Sequence, residues 1–431
     1  MNSSYRMTEV GLLPEDWDAK RFSECFTLVR NNTYARECLT DHPGSVANVH
    51  YGDVLIKYGA VLDFAKNAVP YLKSDVKPNK DMLRDGDLVF ADTAEDEAVG
   101  KAVEVQGLKS RMAVAGLHTV ASRPHDGLFA QRYLGYYINS AAYHNQLLPL
   151  ITGTKVSSVS RACFLSTYVA IPPKSEQRRI AGALSDVDEL ILALGKLIEK
   201  KRNIKTGAMQ ELLTGKTRLP GFGANSLRSN HSHAEAQRGR GIEFKQTELG
   251  PIPMDWEVKR FDDTFEHVPS KPFQLQSSEY RESGRFQVVD QGQMEIVGYT
   301  NDDKKLFHVP EGGVIIFGDH TRIVKFRESD FVVGADGTQL LVGKNDCTRF
   351  LFYVLQQQDI PNLGYSRHFK YVKEGRYAVP PTLAEQKAIA AVLSDMDAGI
   401  AALEAKRAKY ERIKQGMMQE LLTGKTRLKG E

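Results

Sequence analysis

A chain of 431 residues, 42% hydrophobic and 26% charged, can bury a sizeable core and has length for two or three domains. Its formal net charge is only +3, so any nucleic-acid surface must come from local rather than overall basicity. Cys25, Cys38, Cys163 and Cys347 are scattered without CxxC or Cys/His ligand spacing, which argues for reduced thiols and against zinc. No apolar run approaches about eighteen residues, so no membrane association and a cytoplasmic location are expected.

In chain order, the first landmark is Thr8-Glu9-Val10-Gly11-Leu12-Leu13-Pro14-Glu15-Asp16-Trp17, followed by Lys20-Arg21-Phe22. A strand-rich block follows, about Ser23 to Ile171. Strands are predicted at Asp53–Ile56, Asp87–Phe90 and Tyr168–Ile171, from short β-branched or aromatic runs flanked by Gly, Asp or Pro. Leu128 to Leu148 has helical spacing and is expected to pack on the sheet. Pro172-Pro173 then forbids an earlier helix start, and a long helix is predicted from Ser175 to Leu213. Its seam is Ile180, Leu184, Val187, Ile191, Leu194 and Ile198, stepping by fours and threes as in a coiled coil. The helix ends in Met209–Leu219, MQELLTGKTRL, where Gly215 is placed as a C-cap. Gly221 to Gly241 is polar and Gly/Ser-containing and reads as a flexible linker, with His231 and His233 solvated rather than metal-bound.

The chain then repeats itself. Thr247 to Trp256 and Lys259 to Phe261 echo the opening segment at an offset of 239. Both tryptophans, Trp17 and Trp256, lie in these segments and are expected to be packing anchors. A second block, about Asp262 to Val379, carries predicted strands at Phe286–Val289, Gly313–Phe317 and Phe331–Val333 and a helix at Cys347–Gln358. After Pro380-Pro381 comes a second long helix, Ala384 to Leu422, with the seam Ile389, Leu393, Met396, Ile400 and Leu403. Met418–Leu428 spells the same eleven letters as Met209–Leu219, now at an offset of 209, so the second variable block is 30 residues shorter than the first. Each helix would be roughly 58 Å long, and two such seams in one chain favour antiparallel pairing. The expected fold is α+β, with a pseudo-two-fold internal repeat. Its expected parts are globular domain one with its opening segment (1–171), long helix one (172–215), linker (216–246), globular domain two with its opening segment (247–380) and long helix two (381–431).

Catalytic motifs are scarce. Gly215-Lys216-Thr217 and Gly424-Lys425-Thr426 lack the upstream glycine of a phosphate-binding loop, which is Gln210 or Gln419 here, and a helix precedes them where a strand should. There is no GxGxxG after a strand, no HExxH and no GxSxG. The residues point to a non-catalytic binding and assembly protein.

The proline pair followed by Glu-Gln (Ile171–Ala181, IPPKSEQRRIA, and Val379–Ala390, VPPTLAEQKAIA), the helix ending in LLTGKTRL, and the duplication of the whole resemble the specificity subunit of a type I restriction-modification enzyme. That resemblance covers nearly the full chain. It implies two target recognition domains, each reading one half of an asymmetric, split double-stranded DNA sequence. It also implies two antiparallel helices that act as spacer and dock two modification (methyltransferase) subunits, with restriction subunits joining the full complex. By the same resemblance no cofactor belongs to this chain, and S-adenosylmethionine, ATP and Mg²⁺ are used by partner subunits. Two other classes stay open: a protein-binding scaffold with duplicated modules and a single-chain restriction-methylation enzyme. The scaffold would show no sequence-selective DNA binding, and the enzyme is disfavoured by the missing motifs.

DNA-contacting candidates come from loops next to strands, where a scaffold can hold small hydroxyls, cations and aromatics against base edges and phosphates. In the first block they are Thr152, Thr154, Lys155, Ser157 and Ser158, with Thr93 after the strand Leu88–Phe90. In the second block they are His320, Thr321 and Arg322, and Tyr365, Ser366, Arg367, His368 and Lys370. Arg367 suits a guanine and Lys370 a phosphate. Gly207 and Gly416 recur mid-helix, where glycine costs about 1 kcal/mol relative to alanine, so a crowded contact with the other helix or with a partner is expected.

Overall fold

The structure, a computed structural model, describes residues 4–78, 81–223, 242–362, 364 and 366–428. Most of the predicted linker, with His231 and His233, and the candidate Tyr365 lie outside the described residues. The fold is α+β, in two compact units: Met1–Gly195 with Ala405–Glu431, and Lys196–Glu404.

In the first unit a five-stranded sheet runs in the order Phe26–Val29, Thr119–Pro124, Leu88–Ala91, Ala102–Gln106 and Val61–Asp63. A second sheet contains Val46–Val49 parallel to Met112–Ala115. Strand Asp18–Arg21 pairs with Tyr168–Ile171, so the two ends of the variable block meet. The second unit repeats this plan. Its main sheet is Phe265–Val268, Thr338–Gly343, Val314–Gly318 and Val324–Arg327, its second sheet holds Phe286–Val289 parallel to Phe331–Gly334, and Glu257–Arg260 pairs with Arg376–Val379. The duplication visible in the helices therefore continues as topology through blocks whose sequences have diverged.

Most predicted strands fall within a residue of the observed ones. The exception is Asp53–Ile56, which lies in the helix Tyr51–Ile56. The His50 side chain accepts the Gly52 N–H at 3.2 Å, and Asp53 in the first turn is held by Arg36 at 2.6 Å. A run of four residues is too short to separate the two periods, and the cap decides. The predicted helix Leu128–Leu148 is broken into Tyr133–Ile138 and Ala141–His144. Asn139 causes the break: its Nδ2–H donates to the Ala102 carbonyl at 2.7 Å while its Oδ1 accepts the Ala102 N–H at 3.1 Å, which ties the chain to the sheet edge.

Glu104 lies fully buried in the strand Ala102–Gln106 and caps that broken helix, accepting the backbone N–H groups of Arg132 at 2.5 Å and Gly135 at 2.9 Å. Burial pushes its carboxyl up from 4.5 to about 7, against the opposing pull of those donors. The folded state therefore keeps a proton that the unfolded chain has released between about pH 4.5 and 7, and stability falls as pH rises through that window. Glu104→Gln should flatten this slope, which is at most about 1.4 kcal/mol per pH unit, in denaturant titrations run at pH 5 and pH 7. An unchanged slope would count against it.

The long helices span Lys174–Leu212 and Leu383–Leu421, 39 residues each, starting one residue before the predicted points. Ile180, Leu184, Leu194, Ile198, Ile389, Leu393 and Ile400 are buried, while Val187, Ile191, Met396 and Leu403 are half-buried. Within the first unit Asp188 pairs with Lys414 and Glu176 with Arg427. Within the second, Asp397 pairs with Lys205 and Glu404 with Arg202. In each unit the partner's number falls as the residue's number rises, so the helix segments there run in opposite directions. A Cβ added at Gly207 or Gly416 would meet nothing within 4 Å, so contact with the other helix does not account for these glycines.

Candidate nucleic-acid interface

The repeated letters turn out to be clamps. In the first unit Arg427 donates to both oxygens of Glu176, at 2.8 and 2.6 Å, and to both oxygens of Asp16, each at 2.8 Å. Its guanidinium lies 5.6 Å from the Trp17 ring, and Trp17 Nε1–H donates to Glu176 at 3.1 Å. Hydrogen bonds to Glu176, followed by those to Asp16, hold the Arg427 guanidinium protonated well above the usual arginine range. The second unit rebuilds the ion pairs and the cation–ring contact from Arg218, Glu385, Asp255 and Trp256, but the buried Trp256 Nε1–H has no acceptor among the described residues. Gly424, at φ +70°, sits where a Cβ would lie 2.6 Å from Pro14, and Gly215, at φ +68°, meets Pro253 in the same way.

The neighbouring glutamine fastens each variable block. Gln177 accepts the Ala130 N–H at 2.7 Å and donates to the Pro172 carbonyl at 2.8 Å; Gln386 accepts the Cys347 N–H at 2.7 Å and donates to Pro380 at 3.0 Å. About three turns further on, Asp188 accepts the Tyr136 hydroxyl and Asp397 accepts that of Tyr353, each at 2.9 Å. Those carboxylates also bind Lys414 and Lys205 of the facing helix segments, each at 2.6 Å. The repeated glutamine and aspartate of each copy therefore hold a variable block on its helix.

In the first unit the predicted residues come together at one sheet edge. Thr93 and Ala94 pair with Ser158 and Ser157, and Ser158 pairs in turn with Thr152, so the stretch from 152 to 158 is a hairpin docked beside the strand Leu88–Ala91. Gly153, at φ +109°, permits the turn, since a Cβ there would sit 2.0 Å from the Val156 carbonyl. Thr154 and Lys155 are exposed at the tip, Thr152 is exposed, and Ser157, Ser158 and Thr93 are half-buried. The sequence did not single out the neighbours His118, in a left-handed conformation 3.7 Å from Asp92, or Arg161, which donates to Asn31 at 2.5 Å.

The second unit brings its two candidate loops together at the corresponding edge. His320 Nδ1 and the Ser366 carbonyl are 3.2 Å apart, and the Phe369 N–H donates to Asp319 Oδ1 at 2.8 Å. Thr321 is exposed and donates to the Gln291 carbonyl at 2.6 Å. Arg322, at φ +63°, spends one N–H on the Ile360 carbonyl at 3.0 Å. Arg367 and Lys370 are exposed, and Lys370 Nζ rests 4.8 Å from the Tyr371 ring. His368 corrects the expectation: it is fully buried and cannot touch DNA. Among the described residues no group of three or more His, Cys, Asp or Glu could hold a metal ion, and no helix is long and apolar enough to cross a membrane.

Residues 253–415 match the family model of the type I restriction modification DNA specificity domain. Along 99% of its length the chain is 26% identical to a Methanocaldococcus jannaschii protein described as the putative type I restriction enzyme MjaX specificity subunit, covering 97% of that protein. Over nearly its full length the chain is similar to type I restriction-modification specificity subunits, and its second half carries the DNA specificity domain of that family. The MjaVIII specificity subunit of the same organism is 27% identical over 64% of this chain and 66% of its own length. The crystal structure of the type I S subunit from M. genitalium shares the fold at a TM-score of 0.58 and 14% identity, covering 94% of this chain and 96% of that one. A chain from a study of complex assembly and conformational transition of the type I R-M system shares it at a TM-score of 0.52 and 17% identity, covering 96% of this chain and 99% of that one. The clamps are built from letters the two copies share, and the edges from letters they do not.

Proposed function

We propose that the chain reads DNA with two unlike heads, each recognising one half of an asymmetric split target, as the sequence-specificity subunit of a multisubunit methyltransferase and endonuclease. The observation that carries this is a pair of edges on main sheets that share the order of four strands but carry unlike residues: hydroxyls and Lys155 on one, His320, Arg367 and Lys370 on the other. Like frames with unlike readers suit unlike half-sites. The recognition domains are assigned to 1–171 and 247–380, with the long helices as spacer and as docking surface for two modification subunits. A 39-residue helix spans about 58 Å, longer than a B-DNA turn of ~34 Å, which supports unread bases between the half-sites. S-adenosylmethionine, ATP and Mg²⁺ then serve the modification and restriction partners, and this chain contributes no catalytic group.

The test separates reading from gripping. Arg367→Ala should relax discrimination at one base position, a loss of about 1–3 kcal/mol of selectivity at a bidentate guanine contact. Lys370→Ala should weaken binding to all sequences alike and lower the slope of log affinity against log salt by about one. Equal effects of both variants on every sequence would remove Arg367 as a reader.

A further inference from the structure

We infer that His368, which touches no solvent, sets the specificity of the second half-site by latching two separate loops into one reading edge. The inference rests on the proposed DNA reading and adds to it a positioning residue beneath the surface. His368 is 0% exposed and makes two bonds to the same acceptor: its backbone N–H reaches the Asp319 carbonyl at 2.8 Å, and Nδ1 lies 2.9 Å from that oxygen. An Nδ1–H donor is the tautomer a carbonyl acceptor selects, which leaves Nε2 as the atom 3.4 Å from the Ser366 hydroxyl.

Asp319 is itself held on every side. Its N–H donates to the Gly337 carbonyl at 2.7 Å, and its carboxylate, 5% exposed as a residue, accepts the Phe369 N–H at 2.8 Å. The next residue, His320, donates its N–H to Gln291 Oε1 at 3.0 Å. Three loops thus close on the residue pair Asp319–His320, and the chain carrying Arg367 joins them through His368 and Ser366.

Among the described residues of the exposed loop, the internal bonds are Ser366 N–H to the Gly364 carbonyl at 2.9 Å and Gly364 N–H to Asn362 Oδ1 at 3.3 Å. Arg367 donates to no group among the described residues, so the backbone that the latch holds is what fixes the point from which its guanidinium reaches out. A bidentate contact to a guanine edge tolerates little misplacement. The first unit solves the same problem without a side chain: Val159 N–H donates to the Asp92 carbonyl at 2.9 Å, and the hairpin from 152 to 158 is held by strand pairing with Thr93 and Ala94. Losing a side-chain latch should therefore disturb one half-site only.

The test uses the subunit assembled with its modification subunits and duplexes carrying the mapped target or single-base changes in either half. His368→Leu removes the ring donor and keeps an apolar filling; His368→Asn places Nδ2 where Nδ1 was. For His368→Leu, discrimination at the second half-site should fall at least tenfold while the first half-site stays unchanged, and His368→Asn should restore it to within about threefold. Wild-type discrimination in the leucine variant overturns the latch. Should that variant not assemble, the asparagine variant decides: retained discrimination supports the latch, and loss at both half-sites overturns it. A wild-type assembly that shows no base discrimination would instead refute the proposed DNA reading.

Discussion

Arg427→Met should destabilise the first unit by about 3–5 kcal/mol, read as a shift of its denaturant transition. Methionine fills the space beside Trp17 but leaves Glu176, 1% exposed, with a buried carboxylate whose remaining polar neighbours are the Trp17 Nε1–H and the Leu428 N–H. Removing one partner of a buried pair costs far more than the net worth of the pair, because the survivor's desolvation is no longer offset. The charge rather than the packing is decisive, so Glu176→Gln combined with Arg427→Met should recover most of the loss. A cost below about 1 kcal/mol for the single change would show that the clamp is ornamental. Arg218, in the second unit, should behave alike towards Glu385, whose carboxyl burial pushes above its usual value while the guanidinium opposes that shift.

The clamp shows what a sequence with two copies of one message can reveal. The repeat at 209 residues exposed the long helices and their ends, and the repeat at 239 both tryptophan anchors, because helical period, proline stops and a left-handed glycine are local facts. It did not reveal why Glu176, Asp16 and Arg427 recur, since their meeting depends on chain ends 251 and 411 residues apart. In the variable blocks, strands such as Tyr168–Ile171 were legible from composition, whereas Asp53–Ile56 was decided by the His50 cap and by Arg36.

The candidate edges divide in the same way. Thr93 and the stretch from 152 to 158, and His320 and Ser366, were legible only as separate loops next to strands; that each pair meets is set by tertiary pairing. Burial was not legible either. His368 stands between exposed Arg367 and exposed Lys370 in a run of cations and aromatics, and only the tertiary pairing with Asp319 sends it inward. His118 and Gln291, which shape the two edges, carry no local signal: each is defined by the loop it meets.

Exchanging residues 23–171 for the corresponding block of a related type I specificity subunit should have the largest effect on function. The exchanged block begins after Trp17 and ends before Glu176 and Gln177, so the clamp stays with the host. The strand pair Asp18–Arg21 with Tyr168–Ile171 is rebuilt provided the donor supplies a matching last strand. A donor block must also supply a hydroxyl where Tyr136 meets Asp188 and a backbone donor where Ala130 meets Gln177. The measurement is a map of methylated adenines in cells carrying the complete system with either subunit. The expected result is a split motif in which one half changes completely with the exchanged block while the other half stays as it was. A motif that changes in both halves, or in neither, would contradict the central claim that each block reads its own half of the target.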